Sequence, residues 1–243
     1  MARIDEALIQ AIKAAGPKPA NTEAAPTKKN WNQKLSNTLA LAIAQELRDR
    51  GMSEARPNGP GEMGKSGAER RLAGGIGAKK VDVSWATEES GLILACSVKT
   101  IMFMDGATNN FQKNLTNRRG DLLVEALTLH RRFPYAVVAG FLFMDIGAEG
   151  DGTDRRKSTF RNAFPRLRIF TQRPDPSARE EQFERLFLLL VDSNPFSPSL
   201  RAFEVHDGEA EVDLDIAFDE IVTLVGERNF DLYEGLDGQI TKL

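Results

Sequence analysis

The sequence predicts an α/β fold in which a mixed β-sheet is flanked by α-helices, with a helical extension at the N-terminus. Apolar and polar residues alternate over 79–85 and 92–101, as they do in strands, whereas residues 3–15 and 31–50 have helical spacing. Residues 135–145 are almost wholly apolar, which is typical of a strand covered on both faces of a sheet.

The composition is that of a globular protein with a sizeable core. Of the 243 residues, 41% are hydrophobic and 28% are charged, and no apolar run of about 18 residues that could span a membrane occurs. The length fits one large domain with a helical appendage, so we predict an N-terminal helical region and linker at 1–55 and a main domain at 56–243. The single cysteine, Cys96, excludes an internal disulfide and a zinc site made of cysteines. We therefore expect a cytoplasmic protein without a membrane partner.

Charge is divided unevenly along the chain. Residues 204–243 hold 12 acidic and 2 basic residues, whereas residues 1–203 hold 30 basic and 23 acidic ones, so the net charges are −10 and +7. Residues 155–173 contain seven Lys or Arg and no acid. This pattern favours a polyanionic partner for the body of the protein, with a solvated helix face and a solubilising tail as the alternative.

The N-terminal part is predicted to be helical. Residues 3–15 and 31–50 each have an apolar side with helical spacing, and a linker rich in Pro, Ala and Thr separates them at about 16–29. A loop rich in Gly and Pro follows at 51–67, and the short helix predicted at 68–72 ends before two glycines.

The remainder alternates between strands and helices. Residues 79–85 and 92–101 are predicted to be two strands of a hairpin, because the turn sequence TEESG lies between them. A polar loop leads to a helix at 116–132, which Pro134 ends, and the apolar strand at 135–145 follows. Beyond the basic stretch, apolar patterns predict a helix at 178–185, strands at 186–192 and 200–205, and a closing helix at 215–228.

Residues 59–66, GPGEMGKS, match the Gly-x-x-x-x-Gly-Lys-Ser pattern of a nucleotide-binding P-loop. A P-loop joins a buried strand to a helix, so that backbone N–H groups and the helix N-terminus meet at phosphate. The preceding residues, QELRDRGMSEARPN, contain no apolar strand. The missing strand disfavours an ATP or GTP site, although the segments FLFMD and LLLVD each end in an Asp of the kind that binds magnesium. A P-loop NTPase therefore stays an alternative.

A stronger constellation lies in the predicted hairpin. Alternation places Asp82 on the strand face opposite Val81 and Val83, and it places Ser97 and Lys99 together on one face of the second strand. An antiparallel hairpin can set Asp82 against both. A lysine within an apolar strand needs an anionic partner, because a buried ammonium group without one is costly. An exposed Asp82–Lys99 ion pair without a catalytic role is the alternative.

The segments KKVDVSW and LACSVKT resemble the core of the PD-(D/E)xK nucleases, which include many type II restriction endonucleases. In that family an Asp ends or bends one strand, and an acid-x-Lys motif follows on the next. Val81 stands here in place of the usual proline, and Ser97 in place of the second acid. One subgroup of restriction enzymes has Ser-x-Lys at this place and takes the missing carboxylate from the following helix. The resemblance covers about residues 64–145 and implies a restriction-endonuclease-like fold that cleaves DNA.

The resemblance also implies a set of site residues. It gives catalytic roles to Asp82, Ser97, Lys99, Glu125 and Glu69, and metal binding to Asp82, Glu125, Glu69, Asp121 and the backbone carbonyl of Val98. Asp121 and Glu125 are helix neighbours four residues apart, and we prefer Glu125 as the missing carboxylate because its side chain is longer. Asp121 could instead stabilise a helix N-terminus through the helix dipole. Glu69, on the short helix before the hairpin, could simply pair with a neighbouring arginine.

Phosphodiester hydrolysis explains why these residue types are needed. The reaction requires an activated water, neutralisation of phosphate charge and a stabilised leaving oxygen. Mg²⁺ takes one or two carboxylates together with waters and substrate phosphate, and it acidifies bound water. Lys99 would orient the attacking water or stabilise developing negative charge. We therefore expect Mg²⁺ as the cofactor, with Mn²⁺ as a substitute.

Basic residues around this core are predicted to contact DNA phosphates. They are Lys65, Arg70, Arg71, Lys79, Lys80, Arg118, Arg119, Arg155, Arg156, Lys157 and Arg161. The expected partner is double-stranded DNA, and cleavage of both strands favours a homodimer by analogy with the family. The sequence thus predicts a Mg²⁺-dependent DNA endonuclease, in first place a type II restriction enzyme. A nuclease without sequence specificity in repair or anti-phage defence, and a non-catalytic DNA-binding module, are the alternatives.

Overall fold

The computed structural model describes residues 3–58, 70–73 and 77–243. Within them the helices are α1 Arg3–Ala15, α2 Ala25–Asp49, α3 Gln112–Arg132, α4 Gly147–Gly150, α5 Thr159–Leu167 and α6 Leu214–Arg228. The strands are β1 Arg70–Ala73, β2 Ala78–Val81, β3 Val83–Thr87, β4 Gly91–Ile101, β5 Val137–Asp145, β6 Arg185–Asp192, β7 Ser199–Glu204, β8 Tyr233–Leu236 and β9 Gln239–Lys242. None of the helices in these residues has the length and apolar character needed to cross a bilayer.

Five strands form the central sheet in the order β3-β4-β5-β6-β7. β3 and β4 are an antiparallel hairpin, β4, β5 and β6 run parallel to one another, and β7 is antiparallel to β6. The apolar runs of β5 and β6 are buried along nearly their whole length, as the centre of a two-sided sheet requires. The predicted α/β class, with a mixed sheet flanked by helices, is therefore confirmed.

Helices cover both faces of this sheet. On one face, α1, α2 and α6 pack on strand residues such as Val83 and Cys96. On the other face, α3 and α5 pack on strand residues such as Ala95 and Leu142. We call these the α2 face and the α3 face. The two N-terminal helices thus share one hydrophobic core with the sheet.

The β3–β4 hairpin contains a bulge close to its turn. Trp85 pairs with Leu94 but Ala86 pairs with Leu92, so Ile93 is an extra residue on β4. Leu92 lies on the α3 face, whereas Leu94 lies on the α2 face. From Leu94 onward β4 alternates regularly, which leaves the following odd-numbered residues on the α3 face.

The predicted helix at 68–72 is wrong for its described part. Residues 70–73 form β1, because they pair with β2 in an antiparallel ladder in which Arg70 lies opposite Val81. A short segment can adopt either structure, and pairing with a neighbouring strand overrides its helix propensity. The long helix predicted to begin at residue 31 begins earlier, at Ala25.

The helix predicted at 178–185 is also wrong. Residues 178–184 form turns and irregular structure before β6. Their backbone groups bond to distant parts of the chain: Phe183 N donates to Phe170 O at 2.8 Å, and Glu184 N donates to Val138 O at 3.1 Å. These bonds replace the local ones that a helix would need.

A C-terminal hairpin, β8–β9, was not among the predicted elements. Its turn is Asp237–Gly238, and both residues have positive φ, 50° and 69°. Asp-Gly with two positive φ angles is the signature of a type I′ turn, so the sequence did contain the signal. The hairpin packs closely on α6, where a Cβ added to Gly226 would lie 2.5 Å from Gly235 N.

Candidate active site

Asp82 lies at a bend between β2 and β3. The bend breaks the alternation expected here, because Val81 packs on the α3 face and Val83 on the α2 face. The prediction that these valines share a face is therefore wrong. Asp82 and Lys99 do meet: Asp82 Oδ2 accepts hydrogen bonds from Lys99 Nζ at 2.9 Å and from Val98 N at 2.8 Å.

The backbone explains why the Asp82 carboxylate is held in this place. The first residue of β3, Val83, pairs with Cys96, so β4 continues beyond the end of its β3 ladder. The Asp82 side chain binds the next N–H on that edge, at Val98. Cys96 itself is buried on the α2 face, and burial raises the pKa of its thiol, so it is a core residue.

Glu125 joins this group from α3. The buried side of α3, including Leu122 and Leu129, packs on the sheet and turns Glu125 toward β4. Glu125 is 1% exposed, and its Oε2 lies 2.9 Å from Lys99 Nζ and accepts a hydrogen bond from Ser97 Oγ at 3.0 Å. Four predicted site residues therefore come together, and we call them the acid–lysine cluster: Asp82, Ser97, Lys99 and Glu125.

Lys99 is charged in this cluster. Burial by itself lowers the pKa of the ammonium group, but the attraction of Glu125 and then of Asp82, with a hydrogen bond to each, outweighs it and raises the pKa above the ordinary value of 10.5. An ammonium group has three N–H donors and no acceptor. Lys99 can therefore donate hydrogen bonds and supply positive charge at neutral pH, but it cannot remove a proton.

The cluster offers the oxygen ligands that Mg²⁺ prefers. Among the described residues no group of three or more His, Cys, Asp and Glu side chains is arranged so that it could hold a metal ion by itself. Mg²⁺ needs only one or two carboxylates when waters and substrate phosphate complete its shell. The Asp82 and Glu125 oxygens both lie 2.9 Å from Lys99 Nζ, and the Asp82 side chain is 25% exposed, so an ion from solution could reach it. The donor set fits Mg²⁺.

Val98 adds a further oxygen to this edge. Its N–H binds Asp82, and in a strand the N–H and C=O of one residue point to the same neighbouring strand. The Val98 carbonyl therefore lies on the Asp82 side of β4, as the predicted ligand role requires.

Asp121, the other candidate on α3, lies outside the cluster. It is exposed, and its Oδ2 accepts a hydrogen bond from Arg118 Nη1 at 2.8 Å. Asp121 precedes Glu125 by about one helical turn, or about 6 Å along the axis of α3, so it lies farther than Glu125 from Lys99. The remaining candidate, Glu69, lies outside the described residues.

The predicted DNA contacts near α5 are accessible. Arg155, Lys157 and Arg161 are exposed, and Arg156 is partly exposed. All four line an open cavity of about 720 Å³, together with acidic residues such as Glu209. We call these four residues the basic rim. A surface of this kind suits a polyanion, although Arg161 Nε also lies 3.4 Å from a Glu209 oxygen.

One arginine of the basic stretch cannot contact DNA. Arg173 is fully buried, and its Nη1 donates a hydrogen bond at 3.1 Å to Glu184, which is also fully buried. His130 Nε2 lies 3.2 Å from another oxygen of the same carboxylate. These residues form a structural network, so the interpretation of the basic stretch 155–173 as a surface for a polyanion does not extend to Arg173.

The other predicted DNA contacts occupy different places. Arg118 Nε donates to Thr100 O at 3.3 Å, next to the acid–lysine cluster, whereas the Arg119 guanidinium lies over the Phe170 ring at 5.3 Å. Lys80 is exposed on β2. For Arg70, Arg71 and Lys79 the described backbone places each residue on the β1–β2 hairpin. Lys65 lies outside the described residues.

The P-loop pattern at 59–66 also lies outside the described residues, but its flanks are described. Helix α2 and a series of turns up to Asn58 precede it, and strand β1 follows it. A P-loop requires the reverse order, with a strand before the loop and a helix after it. This order disfavours a nucleotide site.

A small polar cavity, which the sequence did not indicate, lies at the carboxyl end of β4, where Thr100 follows Lys99. Its volume is about 160 Å³, and its lining residues are Asn32, Thr100, Ile101, Met102, Phe103, Asn114, Asn117 and Arg118. We call it the asparagine pocket. Three asparagines from α2 and α3 meet here, and nothing in their spacing along the chain shows that these two helices approach each other.

The likeness to PD-(D/E)xK nucleases is carried by residues that the structure brings together. Asp82 lies at a bend, Ser97 and Lys99 lie on the next strand, and a carboxylate from the following helix faces them. The similarity to PD-(D/E)xK nucleases is therefore a hypothesis that rests on these residues. Comparison of the chain with family models, with curated proteins and with solved structures found no match.

Proposed function

We propose that this protein is a Mg²⁺-dependent DNA endonuclease of the PD-(D/E)xK type, with a restriction-endonuclease-like fold. The observation that supports it most is the contact of one lysine, Lys99, with two carboxylates, Asp82 and Glu125, at 2.9 Å each. Perturbed ionisable groups of this kind concentrate at functional sites. The double-stranded DNA partner, the homodimer, the cytoplasmic location and Mn²⁺ as a substitute ion belong to the same proposal.

In this proposal the two carboxylates hold the ion. Asp82 and Glu125 would bind Mg²⁺, together with the Val98 carbonyl, and bound Mg²⁺ supplies an acidified water and polarises the phosphoryl group. Val98 N and Ser97 Oγ each donate a hydrogen bond to one of these carboxylates and so fix its orientation. Ser97 is a positioning residue, since a hydroxyl group is a weaker ligand than a carboxylate.

Lys99 has an electrostatic part in this proposal. Because it is protonated at neutral pH, it can donate a hydrogen bond to the attacking water or to a phosphate oxygen as negative charge develops. Its ammonium group also compensates the charge of Asp82 and Glu125 when no substrate is bound.

The decisive experiment measures cleavage of supercoiled plasmid and unmethylated phage DNA by the purified protein. We expect nicked and linear products with Mg²⁺ or Mn²⁺ and none after chelation. Asp82→Asn, Lys99→Met and Glu125→Gln should each lower the rate about 10²-fold or more. Asp121→Asn is the matched variant, because Asp121 is the helix carboxylate outside the cluster, and it should keep the rate within about threefold.

Two outcomes would contradict the proposal. Unchanged cutting by Asp82→Asn or Lys99→Met would show that the acid–lysine cluster is not the catalytic site. Loss of cutting only in Asp121→Asn would show that Asp121, and not Glu125, binds the metal. Sequencing of the product ends separates two kinds of nuclease. Discrete fragments indicate a type II restriction enzyme, and a continuous smear indicates a nuclease without sequence specificity.

A further inference from the structure

The asparagine pocket has a hydrogen-bonding group with no partner. Asn32 Oδ1 is buried and has no hydrogen bond within the described part of the chain. A buried polar atom in this state is costly unless water or a ligand satisfies it. Other groups of the pocket are held in place: Asn114 Nδ2 donates to Phe103 O at 2.9 Å, and Arg118 Nε donates to Thr100 O at 3.3 Å.

The lining of the pocket suits a neutral planar ligand better than a phosphate. It has three amides and one guanidinium group, and Arg118 already uses Nη1 to bind Asp121 at 2.8 Å, so its charge is partly compensated. The basic rim, by contrast, carries four cations around one cavity, whose lining also includes the acids Glu149, Asp154 and Glu209. Amides and arginines recognise base edges, since Asn pairs with adenine and Arg with guanine.

The pocket lies close to the acid–lysine cluster along two elements. Thr100 follows Lys99 directly on β4, a step of about 3.3 Å. Arg118 precedes Glu125 by seven residues on α3, which is two turns or about 10 Å. A distance of about 10 Å corresponds to about three nucleotides along one DNA strand.

We propose that the asparagine pocket receives the edge of one base of the DNA substrate and sets the sequence preference at one base pair, within about three nucleotides of the cleaved bond. Asn32 and Asn117 are the reading residues. The inference rests on the proposed nuclease function, and it makes α2, a helix far from the catalytic motif in sequence, part of substrate recognition.

The test uses a randomised duplex library cleaved by the full-length protein with Mg²⁺, followed by sequencing of the ends. The same library is also selected by binding without Mg²⁺. Asn32→Ala and Asn117→Ala should both lower the base preference about tenfold or more at one and the same position and leave the other positions unchanged. Asn37→Ala is the control, because Asn37 is an exposed asparagine of the same helix whose side chain, within the part of the chain that the structure describes, binds only Gln33.

Each outcome separates the pocket from the nuclease chemistry. Suppose that the unmodified protein cleaves no DNA but that both variants lose their base preference at one position in the binding selection. This result would support base reading by the asparagine pocket and would overturn the proposed nuclease function. Cleavage with unchanged preference in both variants would overturn the pocket alone. A uniform loss at all positions, with the salt dependence reduced by about one unit, would show a phosphate contact instead and also overturn it. A protein that neither cuts nor binds DNA would overturn both.

Discussion

At the scale of single residues, Lys99 lets two carboxylates stand next to each other in a largely buried place. Glu125 is almost completely buried and Lys99 is 14% exposed. Two carboxylates that share a largely buried place repel each other unless a cation compensates them. The ammonium group compensates the charge of both carboxylates, since its nitrogen lies 2.9 Å from an oxygen of each.

The pKa of Lys99 leads to a prediction about stability. Because this pKa is raised in the folded protein, the stabilisation is fully present below the ordinary value of 10.5 and is lost as the pH rises through the folded value. Lys99→Met should lower the free energy of unfolding by about 3 kcal/mol near neutral pH, since it leaves a buried carboxylate without its cation. The difference from the unmodified protein should shrink as the pH rises beyond the ordinary value of 10.5 and through the raised pKa of Lys99.

Urea unfolding of both proteins at a series of pH values measures this difference. Lys113→Met is the control, because Lys113 is 66% exposed and pairs only with Asp105 in the described residues, so its loss should cost less than about 1 kcal/mol. A Lys99→Met difference that grows with pH would contradict the assigned direction of the pKa shift.

At the scale of elements, helix α3 determines where Glu125 lies. Its buried residues on the α3 face of the sheet include Leu122, Ala126 and Leu129, which surround Glu125 in sequence. The carboxylate is therefore positioned by apolar packing, and its hydrogen bond with Ser97 only completes the arrangement. Stability and site geometry depend on the same contacts.

Leu122→Ala tests this dependence. Leu122 is fully buried, so the change should lower the free energy of unfolding by about 2–5 kcal/mol, from lost burial and the cavity left behind. Val124→Ala on the same helix is the control, because Val124 is 49% exposed, and it should cost less than about 0.5 kcal/mol. Chemical denaturation of both variants gives the values, and equal costs would contradict the described orientation of α3.

Much of the site could be predicted from alternation along the strands. Because side chains alternate along a strand, the sequence predicts that Ser97 and Lys99 share one face. The hairpin between β3 and β4 then brings Asp82 close to Lys99. The choice between Asp121 and Glu125 depends on the position of α3 along the sheet. Tertiary packing determines this position, so the local sequence pattern cannot predict it. The strand at 70–73 and the turns at 178–184 were mistaken for helices, because distant backbone partners determine their structure.

At the scale of the whole molecule, the acidic C-terminal helix and the basic stretch lie on opposite sides of the sheet. Helix α6, from the acidic C-terminal part of the chain, packs on the α2 face, whereas α5, from the basic stretch, packs on the α3 face with Glu125. With the proposed function, we therefore expect DNA to approach from the side of α3 and α5. Attraction from the exposed cations of the basic rim would favour this orientation of the polyanion.

Salt dependence of DNA binding tests this orientation. Arg155→Ala and Lys157→Ala should each reduce the slope of log K against log salt concentration by about 0.9, the effect of one lost phosphate contact. Arg179→Ala is the control, because Arg179 is 64% exposed but pairs with Glu181 in the turns before β6, and it should leave the slope unchanged. Fluorescence anisotropy between about 50 and 200 mM salt gives the slopes. Equal slopes in the unmodified protein and the three variants would show that the basic rim does not contact DNA.

The extra residue Ile93 determines which face of the sheet each later side chain of β4 occupies. If the hairpin paired regularly from its turn, Leu92, Leu94 and every second residue after them would point in one direction, and Ser97 and Lys99 would emerge beneath α2 among apolar side chains. The additional residue reverses this order before the polar positions are reached. A local irregularity of hydrogen bonding, rather than any charged group, thus decides which side of the sheet becomes the reactive one.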